Sequence, residues 1–294
     1  MVRSAVCGVE RRERKAWRRR LLWCLAAMAA MASAPARGRE AGRFHFSRGE
    51  HAPYEVTTRH FELEFSVPPA VGRKYAALCE RAYAKFRQKF HVPADAVVWE
   101  GKCQVTLFAR HSEFVTFARN VHHSPKAAES GGYTRITKAN PDVVLYLKGE
   151  DHVKLQQVLV HEMTHVFLQL FHKQAKIETW LHEGFAQYFE FRVHPGRSRL
   201  VASRRRAKRL VERGEAKPLR AFWTAGFPAT DHDSYAQAWS LIDFMVTKGG
   251  AKRTGDFILR IKDGESQESA LVATFGCPLD KFEALWKRYV AQTY

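Results

Sequence analysis

The stretch from Leu155 to Phe171 constrains this chain more than any other. Leu155, Leu159, Val160, Met163, Val166, Phe167, Leu168, Leu170 and Phe171 cover most directions around a helix, so the helix is buried on nearly every side. Set into it are His161, Glu162 and His165. At about 100° per residue the two imidazoles lie about 40° apart and Glu162 about 100° from His161, so all three project into one sector. A buried carboxylate beside imidazoles is heavily penalised unless something compensates it, and a divalent cation does so. His161-Glu162-Met163-Thr164-His165 is the HExxH pattern, in which two imidazoles one turn apart reach one metal ion. The competing reading is a helix with incidental His and Glu facing solvent. With 14 His in the chain the bare pattern arises by chance in roughly a few per cent of such sequences, so it needs support from elsewhere.

That support is Trp180-Leu181-His182-Glu183-Gly184-Phe185-Ala186-Gln187-Tyr188-Phe189-Glu190. A catalytic zinc needs a third protein ligand and an open position. Glu183 offers the ligand from a second helix, after a connection long enough to turn back onto the first. Gln187 and Glu190 follow at i+4 and i+7 as a polar stripe in an aromatic segment, placed to orient ligating imidazoles. Glu190 reads equally well as a surface carboxylate. His182 is adjacent but directed elsewhere, and is a candidate substrate or outer-shell contact. The expectation is one Zn2+ per chain on His161, His165 and Glu183, with Glu162 next to the metal as a base.

Around these helices the pattern predicts an α+β fold. Phe61, Leu63, Phe65 and Val67 alternate with Glu62, Glu64 and Ser66 as a half-buried strand stopped by Pro68-Pro69. Cys79, Ala82, Tyr83, Phe86 and Phe90 recur at helical spacing before Pro93. Val105 and Leu107 mark a second strand, Ser112 caps a short helix, and residues 131–136 and 143–147 give two more strands. This is a small mixed β-sheet lobe with helices over 54–150. A mainly helical zinc-binding lobe over 151–294 follows, with helices at about 152–172, 177–192, 199–213, 234–248, 254–262, 267–275 and 279–291. Residues 37–53 read as a linker, and 54–294 as one compact unit.

The first 36 residues have a different character. A basic run from Arg11 to Arg20 leads into an apolar run from Leu21 to Ala32 and then small residues, the pattern of an export signal cut after Ala36. An uncleaved anchor is the alternative, although an apolar run of 12 residues is short for a bilayer that needs about 20. The mature chain is expected in the periplasm, in the cell envelope or secreted, with no transmembrane helix. The net charge is +18, of which six belong to residues 1–36, leaving about +12. Much of the rest lies in Arg197–Arg213, where Arg204, Arg205, Arg206 and Arg209 read either as a solvated face or as a surface for an anionic envelope polymer. An export signal argues against nucleic acid, and the stripe, outside both metal helices, is expected to be dispensable for catalysis. Cys79, Cys103 and Cys277 form no metal or redox pair and read as buried small hydrophobes.

HExxH followed by Glu-Gly-Phe-Ala resembles the gluzincin metallopeptidases, and most closely the bacterial peptidase MA-like proteins. The resemblance spans roughly residues 55–292. It includes Leu107-Phe108-Ala109-Arg110 with Phe114, Gly131-Gly132-Tyr133, both zinc helices and Tyr235-Ala236-Gln237-Ala238-Trp239-Ser240-Leu241. It implies a zincin-like architecture, hydrolysis of a peptide or protein substrate by water activated at zinc and deprotonated by Glu162, and Tyr235 as the oxyanion donor. Tyr235 follows a helix cap at Asp233 or Ser234; it reads nearly as well as a packed aromatic. Two departures limit the transfer: 17 residues separate His165 from Glu183, with His182 where the aminopeptidase branch has Asn, and the segment that grips a free N-terminus is absent. The rival reading is a non-catalytic, zinc-bearing envelope scaffold, against which Glu162 stands intact.

Overall fold

The computed structural model describes residues 46–47, 51–93, 95–136, 140–194 and 198–294. The export signal expected at 1–36, and most of the linker expected at 37–53, lie outside them. Within that stretch Phe46–Ser47 forms a strand, β1, paired with β2 (Tyr54–Thr57). The sheet continues through β3 (Phe61–Phe65), β4 (Cys103–Phe108), β5 (Gly132–Ile136) and β6 (Pro141–Tyr146), in the order β1-β2-β3-β4-β6-β5. The β3–β4 and β4–β6 pairs are parallel and the others antiparallel, with Leu63 opposite Val105 and Val105 opposite Val143. This is the mixed sheet of an α+β fold.

Parallel neighbours require crossovers, and helices supply them. The first, α1 (Pro69–Lys89), begins ten residues before the apolar repeat that announces it. Pro69, read as the end of a strand, occupies the first helical turn, where a missing N–H costs nothing. The second, α2 (His111–Asn120), starts one residue before Ser112, and the Glu113 carboxylate accepts from the Arg110 N–H at 3.1 Å. The two helices cover opposite needs: Phe114 and Phe117 of α2 pack on Phe108 and Val144, while α1 faces the main core. That is why β4 and β6 are almost continuously buried instead of alternating.

From residue 152 the chain is helical: α3 (His152–Leu170), α4 (Thr179–Val193), α5 (Ser198–Glu212), the short α6 (Leu219–Phe222), α7 (His232–Phe244), α8 (Ala251–Lys262), α9 (Gln267–Phe275) and α10 (Leu279–Thr293). A π-helical turn, Met245–Gly249, extends α7 to the expected glycine stop. One hydrophobic core joins sheet and helices. Phe90 lies 5.6, 5.1, 5.4 and 5.9 Å, centroid to centroid, from Phe167, Phe171, Phe185 and Phe189. Cys79, Cys103 and Cys277 are buried and unbridged.

Candidate metal centre

Helix α3 is capped by Asp151, whose carboxylate accepts from the Lys154 N–H at 2.9 Å, and its apolar flanks hold it between α1, α4 and β5. Its polar sector faces α4. His161 Nε2 lies 3.5 Å from Glu183 Oε2, and His165 Nε2 lies 3.8 Å from Glu183 Oε1. One donor atom from each of the three residues falls within 4.8 Å of the others. Tetrahedral zinc with bonds of about 2.0–2.1 Å spaces its donors about 3.4 Å apart, so the three require only small inward movements to hold the ion. Among the described residues Glu183 Oε2 is also buried without a well-formed hydrogen bond, His161 Nε2 at 3.5 Å lying beyond the usual range of about 2.7–3.2 Å. Two imidazole nitrogens, one carboxylate and an orphaned buried oxygen fit a zinc ion.

In the metal-free chain a proton on His161 takes the part a cation would play. Burial alone would lower the His161 pKa, but Glu183 and Glu190 beside it hold it up at about 10. His165 is pushed down to about 3 by burial, hence neutral with its lone pair available. Burial would raise the Glu183 carboxyl, yet His161 and His165 hold it at about 2. The Glu162 carboxyl is raised, chiefly by burial.

A second ring of contacts fixes these groups. Glu190, almost fully buried, accepts from His161 Nδ1 at 3.0 Å, which puts the proton on Nδ1 and leaves Nε2 facing Glu183. Glu190 is therefore a buried partner of His161, not a surface carboxylate. Its other oxygen meets Arg199, with Lys154 at 3.7 Å. Thr134 of β5 donates to Glu162 Oε2 at 2.8 Å and aims the carboxylate. The sequence offered no sign of this contact, which joins residues 28 positions apart. The Tyr235 side chain lies close enough to Glu183 for that carboxylate to add to the rise that burial causes in its pKa. Its helix starts earlier than expected: Asp231, not Asp233 or Ser234, is the cap, accepting from the Ser234 N–H at 3.0 Å. His182 is not directed away; its ring stands 5.5 Å from that of His165 and lines the cleft, with Nδ1 buried and without a hydrogen-bond partner among the described residues. Burial lowers its pKa to about 4.

The basic stripe is likewise nearer the site than its sequence position implied. Arg199 lines the cleft through Glu190. Arg206 and Arg209 each donate to Asp233 Oδ1 at 2.8 Å, two residues before Tyr235, and Arg204 lies over the Tyr294 ring. A helix expected to be separate from catalysis thus touches both the carboxylate that holds His161 and the helix that carries Tyr235. These groups surround a cleft of about 840 Å³ bordered by the edge strand β5.

A mixed sheet whose edge strand borders a cleft, with three side chains able to hold a metal on two helices and a further glutamate beside them, is the arrangement of a metallopeptidase-like protein. The model of the Peptidase MA superfamily matches residues 139–292, more than half of the chain, and the chain belongs to that superfamily. No curated protein matches it.

Proposed function

We propose that this is an exported metallopeptidase of the gluzincin type, binding one zinc through His161, His165 and Glu183 and cleaving peptide bonds. The observation that carries the reading is the convergence of those three donors, one with an orphaned oxygen, beside a carboxylate that is not among them. Zinc, when bound, supplies Lewis acidity that acidifies water and polarises a carbonyl. Glu162, aimed by Thr134, takes the proton from the attacking water and delivers it to the leaving amine, which must depart neutral. The Tyr235 hydroxyl, which lines the same cleft, donates to the oxyanion that forms on the carbonyl oxygen. Glu190 keeps His161 oriented and Nδ1-protonated through the cycle. Cleft and superfamily both point to a peptide or protein substrate.

The test joins metal analysis to turnover. Protein purified without added metal should hold or take up about one zinc per chain. It should cleave members of a mixed peptide library, whereas Glu162→Gln should keep the zinc and lose about 10² to 10⁴ in rate. Equal cleavage by Glu162→Gln and wild type rules out the mechanism, and zinc uptake without any turnover by wild type favours the scaffold reading.

A further inference from the structure

The cleft sorts its charges by depth. Its carboxylates among the described residues, Glu162, Glu183 and Glu190, are committed to Thr134, to the two imidazoles and to His161. Its rim carries cations: Lys154 and Arg199, with side chains 38% and 45% exposed, and Lys126, exposed and without an ion-pair partner among the described residues. Lys154 and Arg199 address the same oxygen of Glu190, while its other oxygen is taken by His161. One carboxylate is thus faced by two cations where one would neutralise it. Arg199 also stands in the first turn of a helix with no acidic residue in that turn, where the helix dipole disfavours positive charge, whereas Lys154 has the Asp151 cap of α3 beside it. Structural pairing explains one of them; the surplus faces the cleft.

We propose that Lys154 and Arg199, with Lys126 on the same rim, form an anion subsite that takes a carboxylate of the peptide substrate, either an acidic side chain or the peptide's C-terminal carboxylate. This rests on the peptidase reading. The Lys154 ammonium and the His161 imidazole lie 3.7 and 3.0 Å from opposite oxygens of one carboxylate, so they are within about 9 Å of each other, two to three extended residues at about 3.3–3.6 Å each. The recognised charge therefore falls within about three residues of the bond cut.

Matched peptides test this. A neutral parent carries Glu, Gln or Lys at each of three positions on either side of the scissile bond, each as free acid and as C-terminal amide. Cleavage by the zinc-loaded wild type is measured beside binding of the labelled peptides to zinc-loaded Glu162→Gln at low salt. Glu should exceed Gln at one position by about five- to tenfold in both readouts, with Lys below Gln. If the terminus is what is read, free acid should exceed amide by that factor instead. The ratio should fall to about one in Lys154→Gln and Arg199→Gln, whatever their basal rates, and should shrink in Lys126→Glu, whose exposed site tolerates the change. Cleavage without charge discrimination, or discrimination that survives in all three variants, overturns the subsite and spares the peptidase reading. Discriminating binding without cleavage of any peptide supports the subsite and overturns the peptidase reading. Neither binding nor cleavage overturns both.

Discussion

Gly184, next to the candidate ligand Glu183, sets how closely α4 and α7 approach. A Cβ built there stands 2.7 Å from the Ala238 carbonyl oxygen, 2.7 Å from Ile242 Cγ1 and 3.0 Å from the Ala238 carbonyl carbon. Ordinary contact begins at 3.4 Å, so Gly184→Ala forces α7 away from α4 by about 0.7 Å, or strains both. Overpacking of this kind costs about 1–3 kcal/mol, and for a domain of this size about 2–4 °C of Tm per kcal/mol. The functional effect is larger than the thermal one. Tyr235 lies one turn before Ala238 on the displaced helix, whereas all three candidate ligands lie on α3 and α4. A 1 Å misplacement of a reacting group costs about 10², so a loss of about ten- to a hundredfold in kcat is expected, with zinc stoichiometry unchanged. Thermal unfolding, zinc analysis and kinetics on one good peptide decide it. A variant with wild-type Tm and kcat within twofold would show that the α4–α7 interface has slack and that Tyr235 does not depend on it.

Glu190→Gln removes the charged partner of His161 Nδ1 and should weaken zinc binding about 10- to 100-fold in a chelator competition while the fold persists. Lys262, buried, donates to the Leu168 and Gln169 carbonyls at 2.6 and 3.1 Å and closes the C-terminal end of α3. Lys262→Met strands those carbonyls and should cost about 1–3 kcal/mol in denaturant unfolding. In the metal-free chain, burial lowers His165 and His182 from 6.5 to about 3 and about 4, so the unfolded state binds more protons than the native one between those values. The stability present above pH 6.5 should therefore be lost as pH falls toward 4, and His182→Gln should flatten that slope in unfolding measured from pH 7 to 4; an unchanged slope refutes the assignment.

What could be read from the chain and what could not follow from the range of the interactions. The metal helices were legible because burial on all sides makes any polar residue conspicuous, and His161, Glu162 and His165 interrupt an apolar run. Helix starts were harder. The first turn of α1 carries no apolar repeat, and Pro69 signals a stop to a strand and a start to a helix with equal force. Glu190 could be placed on the right face of α4 but not assigned, because its partners Lys154 and Arg199 come from two other helices. Thr134 was invisible for the same reason: nothing in a strand sequence says which hydroxyl will meet a carboxylate 28 residues on. The stripe from Arg197 to Arg213 shows the converse, since composition alone cannot tell a solvated charge from one held by Asp233 or Glu190.

The aromatic seam around Phe90 has a consequence for how this protein can be cut. The superfamily match begins at residue 139, after α1 and after five of the six strands. A fragment starting there would keep both metal helices yet lose Phe86 and Phe90, uncovering Phe167, Phe171, Phe185 and Phe189 along one side. Exposing such a patch on a soluble domain invites aggregation. The segment that carries the family signature is thus a diagnostic span rather than a self-sufficient folding unit, and expression of 139–292 alone should give insoluble or molten material where 51–294 folds.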